Sequence, residues 1–221
     1  MNNENDLIKA LEISKTKVDN SLKSSQKCFD KESMEEYSKL YSEQLSCERN
    51  LAKFRNEEYA IPIDFPLQWD TGVPLPFVFS NENKTILTFY LQQVDPDWDN
   101  TYISDSSEEN IEQIALVEFE LCYSFKFGSP NDEVHEGHPL YGKGLDSYTA
   151  QIIINSIWIK NIEKINSVHI QYEPKNWDDL NHYVFWFHDT TYECIAKSYK
   201  TEVFQTSMKK LLTVINERLL K

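Results

Sequence analysis

The chain has 221 residues, 40% of them hydrophobic and 13% aromatic, which is enough apolar side chain to bury a sizeable core and excludes a disordered or fibrous protein. Its formal net charge of −14 argues against non-specific binding to a nucleic-acid backbone and suits a cationic partner, either a basic protein face or a metal ion, or simply solubility. Four cysteines at 28, 47, 122 and 194 form no CxxC pair, the start MNNENDLIKA lacks a secretion signal, and no apolar run approaches the roughly 20 residues of a membrane span, so a reducing cytoplasm is the expected home.

Residues 5 to 57 contain no Gly or Pro and repeat apolar residues at helical spacing: Leu7, Leu11, Val18 and Leu22, then Met34, Tyr37, Tyr41, Leu45 and Leu51. The pattern predicts two helices, breaking near Phe29-Asp30-Lys31, with Ser33 and Glu36 matching a capping box at the start of the second. Their thin apolar stripes must pack on each other, on the rest of the chain or on another molecule. Residues 1–57 therefore read as a helical hairpin arm and 58–221 as an α+β body.

The next stretch, AIPIDFPLQWDTGVPLPF, carries four of the eight prolines among aromatic and aliphatic residues, and reads as a strap over the core, unsuited to a central strand. TILTFYLQQV then predicts a strand. LVEFELCYSFKF has the cleanest alternation in the chain, with Val117, Phe119, Leu121, Tyr123, Phe125 and Phe127 on one face and Glu118, Glu120, Ser124 and Lys126 on the other. One face should be buried and the other wet. SYTAQIIIN reads as a further strand, and Ser156 as the cap of a short helix carrying Trp158, Ile162 and Ile165. VHIQY is a weaker strand pattern. HYVFWFHD and TYECIAKS predict a hairpin turning through Asp189-Thr190, which would set Trp186 beside Glu193. Phe204, Met208, Leu211, Leu212, Ile215 and Leu219 form the stripe of a closing amphipathic helix, with Arg218 and Lys221 at its C-terminal end. The expected fold is α+β, a mainly antiparallel sheet backed by helices, with an N-terminal helical hairpin and a C-terminal amphipathic helix.

Four stretches carry candidate chemistry. In DPDWDN, Asp95, Asp97 and Asp99 match the first ligand positions of a calcium loop, but position six is Asn100 in place of Gly and position twelve is Ser106 in place of Glu, so an exposed acidic turn between strands is the better reading. FGSPNDEVHEGHPLYGKGL holds four of the five glycines. Its Asp132, His135 and His138 could ligate Zn, Mn or Fe, although Gly137 and Pro139 forbid the helix on which a metalloprotease motif depends. The plain alternative is a wide loop whose glycines supply positive φ. In LYGKGL, Lys143 between two glycines could meet an anion or nucleotide, without the spacing of a phosphate-binding loop. In FWFHDTTYEC, His188 and Asp189 at the tip and Glu193 on the return strand could join His138 in acid–base catalysis if the glycine loop reaches them, and alternation puts His182 on the face of Val184, Trp186 and His188, where it could converge with them; otherwise His188 and Asp189 merely build the turn. Cys122 and Cys194 fall within predicted strands and read as structural thiols.

The stretches WDTGVPLP, FGSPNDEVHEGHPLYGKGL, NSIWI and FHDTTYECIA resemble a family of uncharacterised bacterial proteins over about residues 60 to 197, leaving out the N-terminal hairpin. The resemblance implies a cytoplasmic bacterial protein with one continuous domain there; it implies no activity and no catalytic residue.

Three functions are consistent with these features. The first is a non-catalytic binding or interaction protein in the manner of immunity or antitoxin proteins, meeting a basic protein partner through its arm or polar sheet face, and binding neither nucleic acid nor membrane. The second is a hydrolase-type enzyme, with or without a metal ion, using His and carboxylate residues of the 128–145 loop and the 188–193 hairpin. The third is small-ligand binding without chemistry. No particular cofactor is implied.

Overall fold

The computed structural model describes residues 3–25, 30–92 and 111–221. The expected arm is two helices, α1 (Glu4–Ser25) and α2 (Lys31–Phe54). The Arg55 guanidinium reaches Glu4 at 2.7 Å, tying the end of α2 to the start of α1, so the pair is antiparallel. The cap of α2 is Asp30, whose carboxylate accepts from the Ser33 N–H at 2.8 Å. Ser33 is thus the amide that is capped, and the cap itself lies three residues earlier than the Ser33–Glu36 pattern predicted.

Among the described residues nine strands follow: β1 (Tyr59–Pro62), β2 (Phe77–Ser80), β3 (Thr85–Tyr90), β4 (Glu112–Glu120), β5 (Ser124–Gly128), β6 (Ala150–Ile154), β7 (Asn181–Trp186), β8 (Thr191–Ala196) and β9 (Ser198–Thr206). They form two antiparallel sheets, one of five strands in the order β1-β6-β7-β8-β5 and one of four in the order β2-β3-β4-β9. Helices α3 (Ile157–Asn166), α4 (Lys175–Asp178) and α5 (Met208–Leu219) complete the chain. Leu87, Phe89, Val117 and Phe119 of the smaller sheet and Tyr183, Phe185, Tyr192 and Cys194 of the larger meet in one buried cluster, so the sheets stack face to face. Each such large side chain taken from water contributes on the order of 1.5–3 kcal/mol. The proline-rich strap lays Trp69 and Phe65 into this layer, and its Pro62 sits on the edge strand β1, where a missing N–H costs no ladder bond.

The long alternation at 116–127 is not one strand. Leu121 takes φ 50° between β4 and β5, and the chain leaves the four-stranded sheet there for the edge of the five-stranded one. Alternation continues across the break, which is why periodicity alone merges the two. The face of β4 expected to be wet is also covered: Ile114 and Leu116 pack with Ile86 against Met208, Leu211 and Ile215 of α5. That helix starts at Met208, because Phe204 belongs to β9, a strand paired along the whole of β4 that the helical stripe had concealed. VHIQY forms turns in place of a strand, with Val168 and Ile170 almost fully exposed. Ser156 does cap α3, accepting from the Ile159 N–H at 3.2 Å.

The arm is anchored by the second half of the glycine loop. Arg49 of α2 donates through Nε to the Ala60 carbonyl and through Nη2 to the Gly144 carbonyl, both at 2.9 Å, while the Gly144 N–H donates to the buried Glu48 carboxylate at 3.0 Å. Gly144 has φ +79°, and a Cβ there would overlap Cγ and Nε of Arg49. Gly144→Ala is expected to cost about 1–2 kcal/mol for the left-handed backbone alone, and more for the displaced Arg49. Gly137→Ala, where a Cβ meets nothing, is expected to change stability by less than about 0.5 kcal/mol. Urea denaturation compares the two, and equal midpoints would remove this anchoring role.

Candidate functional site

The outer face of the five-stranded sheet, turned away from the inter-sheet core, carries the chemistry. On β8 the alternation sends Tyr192 and Cys194 inward and Glu193 outward, opposite Lys126 of β5 and Val184 of β7. The hairpin turns through His188-Asp189, closed by the Phe187 N–H on the Thr190 carbonyl at 2.9 Å. The expected Asp189-Thr190 turn is thus displaced by one residue, and the register by two, so that Glu193 faces Val184 in place of Trp186. The face assignment survives because a two-residue shift preserves parity.

Two stretches close over this face. Ser156 and α3 bring Trp158 to one side, and a short 3-10 helix at Asp132–Gly137 followed by His138 and Pro139 brings the other. Between them lies a cavity of about 610 Å³, with Lys126, His138, Trp158, His182 and Glu193 among its walls and apolar contributions from Val134, Leu140 and Ile157. Glu58 holds the rim by accepting from the first amide of α3, Ile157 N–H, at 3.0 Å.

Glu193 is the centre of the polar group. Its Oε2 lies 2.8 Å from His182 Nε2 and 3.3 Å from Lys126 Nζ, and its Oε1 lies 3.9 Å from His138 Nε2. The Ser156 hydroxyl already accepts from Ile159, so its proton is available to His182 Nδ1 at 2.9 Å, which leaves the His182 proton on Nε2, facing the carboxylate. The Leu140 N–H donates to His138 Nδ1 at 3.2 Å and likewise keeps that ring's proton on Nε2. Burial alone would raise the pKa of Glu193. The His138 N–H facing it at 3.9 Å, the bond from the His182 N–H and the charge on Lys126 outweigh burial and hold the carboxyl well below the ordinary range. Lys126 is itself steadied by the Trp158 ring, 3.9 Å from its centroid.

A second group forms at the hairpin tip. The Asp132 carboxylate accepts from the Tyr148 hydroxyl and lies 3.0 Å from His188 Nδ1, and the Asp132 N–H donates to the His188 carbonyl at 3.1 Å. Burial pushes Asp132 upward, but the bonds from Tyr148 and His188 prevail and lower it; burial and the bond to Asp132 raise Tyr148.

The expected meeting of glycine loop and hairpin therefore occurs twice, as His138 with Glu193 and as Asp132 with His188, and the two groups share no side chain. His135 joins neither, lying edge-on to Trp186 and Tyr141, where burial and the neighbouring His138 depress its proton affinity. Asp189 stands exposed at the tip. Around Lys143 the backbone is committed to Leu140 and Ala60, and the neighbouring Gly144 N–H holds the chain's own Glu48 carboxylate. Among the described residues no three His, Cys, Asp or Glu side chains converge as the ligands of one metal ion. Asp95, Asp97 and Asp99 lie outside the described residues.

Sequence reasoning left Lys126, Ser156 and His182 out of the catalytic and metal-binding sets. Lys126 was placed on the polar face of its strand and His182 on the face of Val184 and Trp186, but only the pairing of β5, β7 and β8 unites them. The half-buried Cys122 packs against the inter-sheet core, and a hydrogen bond with Cys194 lowers its pKa to about 7. No helix among the described residues is long and apolar enough to cross a membrane.

Because Glu193 is held below its ordinary value of 4.5, the stability it contributes is fully present above about pH 4.5 and is lost as the pH falls below that. Glu193→Gln is expected to be about 1–3 kcal/mol less stable than the parent at pH 7, the gap closing as pH is lowered from 4.5. Denaturant melts at stepped pH measure this; a gap of constant size down to about pH 3 would contradict the assignment.

No family model, curated protein or solved structure matches this chain.

Proposed function

We propose that the protein is a small-ligand binding protein, with its ligand seated in the cavity beside Glu193. The observation that carries this reading is an ionised, 11% exposed carboxylate held by His182 and Lys126 and facing His138 in a walled cavity of about 610 Å³. A volume of that order suits a small organic molecule, and the combination of apolar walls with a few converging polar groups is how such sites fix orientation. The fold has no need of a charge at this position: an apolar residue on β8 facing α3 would bury more cheaply.

Binding without chemistry is supported over hydrolysis by the state of each polar group. No Ser, Thr or Cys lines the cavity to act as a nucleophile. Both ring nitrogens of His182 are engaged, and the His138 nitrogen that faces the cavity carries a proton, so neither ring offers a free base there. A carboxylate with a strongly depressed pKa is in turn a weak proton acceptor. The cavity also sets small-ligand binding ahead of a basic protein partner, whose support is the overall charge of −14.

The test is a fragment library of neutral, cationic and anionic compounds added to 15N-labelled protein. Amide shift changes are expected to cluster at Lys126, His138, Leu140, Trp158, Asn161 and Glu193, and to vanish in a Leu140→Trp variant that fills the cavity. Shifts scattered over the surface, or none with any fragment, would reject the reading.

A further inference from the structure

We infer that the ligand is a neutral polyhydroxy compound, one hydroxyl of which bridges His138 Nε2 and Glu193 Oε1. This rests on the cavity-binding reading and specifies its chemistry. The two atoms stand 3.9 Å apart, too far for a hydrogen bond with each other and close enough for one oxygen to bond both. With bond lengths of about 2.8 Å, that oxygen would see the two partners at roughly a right angle, displaced to the cavity side.

The polarity of the gap selects the group that fills it. His138 presents an N–H, because its other nitrogen accepts from the Leu140 amide. Glu193 presents an acceptor oxygen, because its carboxyl is held ionised. The bridging group must therefore accept from one side and donate to the other, which a hydroxyl does with a single atom. An ammonium satisfies Glu193 but turns a proton toward the His138 N–H and has no lone pair to offer it. A carboxylate or phosphate satisfies His138 but sets a negative oxygen against Glu193, in a site of reduced dielectric where like charges repel strongly. Both ionic classes leave a buried group unpaired, and sites built to bond a hydroxyl reject such analogues.

The remaining polar groups suit more than one hydroxyl. Lys126 Nζ directs one proton at Glu193 and has others for an acceptor oxygen, and the exposed Asn161 carboxamide on the cavity wall both donates and accepts. The apolar contributions of Val134, Pro139, Leu140 and Ile157 face the C–H surface of such a compound.

The experiment is a titration of the full chain, followed by amide shifts, with three sets of matched probes: glucose, galactose and sorbitol; glucosamine; and glucuronate. At least one neutral probe is expected to shift the cavity amides, with the charged analogues bound about tenfold more weakly or not at all, and Glu193→Gln is expected to weaken the neutral probe by about tenfold or more. Tighter binding of glucosamine or glucuronate at the same amides would overturn the polyol assignment and leave the cavity reading intact. Neutral binding unaffected by Glu193→Gln would also overturn it. Absence of shifts with all three sets, while fragments of the library do bind, rejects the polyol class alone; absence with the library as well rejects both.

Discussion

A carboxylate on the outer face of a central strand must find partners once two layers close over it, and much of this molecule can be understood as supplying them to Glu193. The alternation of β8 points Glu193 away from the inter-sheet core, and its neighbours on β5 and β7 provide Lys126 and His182. His182 is in turn oriented by Ser156, which also starts α3, so the bond that caps the helix and the bond that sets the imidazole pass through one hydroxyl. His138 completes the set from the loop opposite. Removing a charge from water costs several kcal/mol unless donors replace the solvent, and here they come from Lys126 and His182 on the two neighbouring strands, with the His138 N–H facing from the loop. The polar group thus ties helix, loop and sheet into one arrangement and keeps the cavity open between them.

The glycine loop serves three neighbours in succession. Asp132 meets the hairpin tip, His138 faces Glu193, and Gly144 receives the arm. Those demands explain its composition better than any one motif. Asp132 lies in a short 3-10 helix that ends at Gly137, His138 leaves it with extended backbone, Pro139 enters the turn that follows, and Gly144 takes the positive φ that lets Arg49 pass close to the backbone. The edge-on packing of His135 and His138 against Trp186 gives the loop an apolar floor, so its polar groups are held by packing as well as by hydrogen bonds.

Much of the local structure was legible in the residues. The helical hairpin, the strap, the cap at Ser156 and the β7–β8 hairpin follow from apolar period, proline content and capping chemistry, which act over a few residues. The failures share a cause. The alternation of 116–127 ran through a change of sheet at Leu121, because period two is kept on both sides of the break. Phe204 fitted a helical stripe, yet β9 took it, since nine residues paired with β4 outweigh one position of helical spacing. The hairpin turn differs by one residue because Asp189-Thr190 and His188-Asp189 are both acceptable turn pairs, and both registers keep the same residues on each face.

The sequence by itself determined the two helices of the arm, the capped helix after Ser156 and the closing helix, that the body is α+β with antiparallel strands, and that histidines and carboxylates concentrate in the glycine loop and the 188–193 hairpin. Those properties are carried by neighbouring residues, whose spacing decides backbone conformation. The tertiary structure alone decided that the strands divide into two stacked sheets, that the histidines and carboxylates split into one group around Glu193 and another around Asp132, and that Lys126 and Ser156 join His182 in the first. Those depend on which strands lie side by side, and that is settled by burial of Phe89, Phe119, Phe185 and Tyr192 between the sheets, a contact between residues up to about a hundred positions apart that no local pattern encodes.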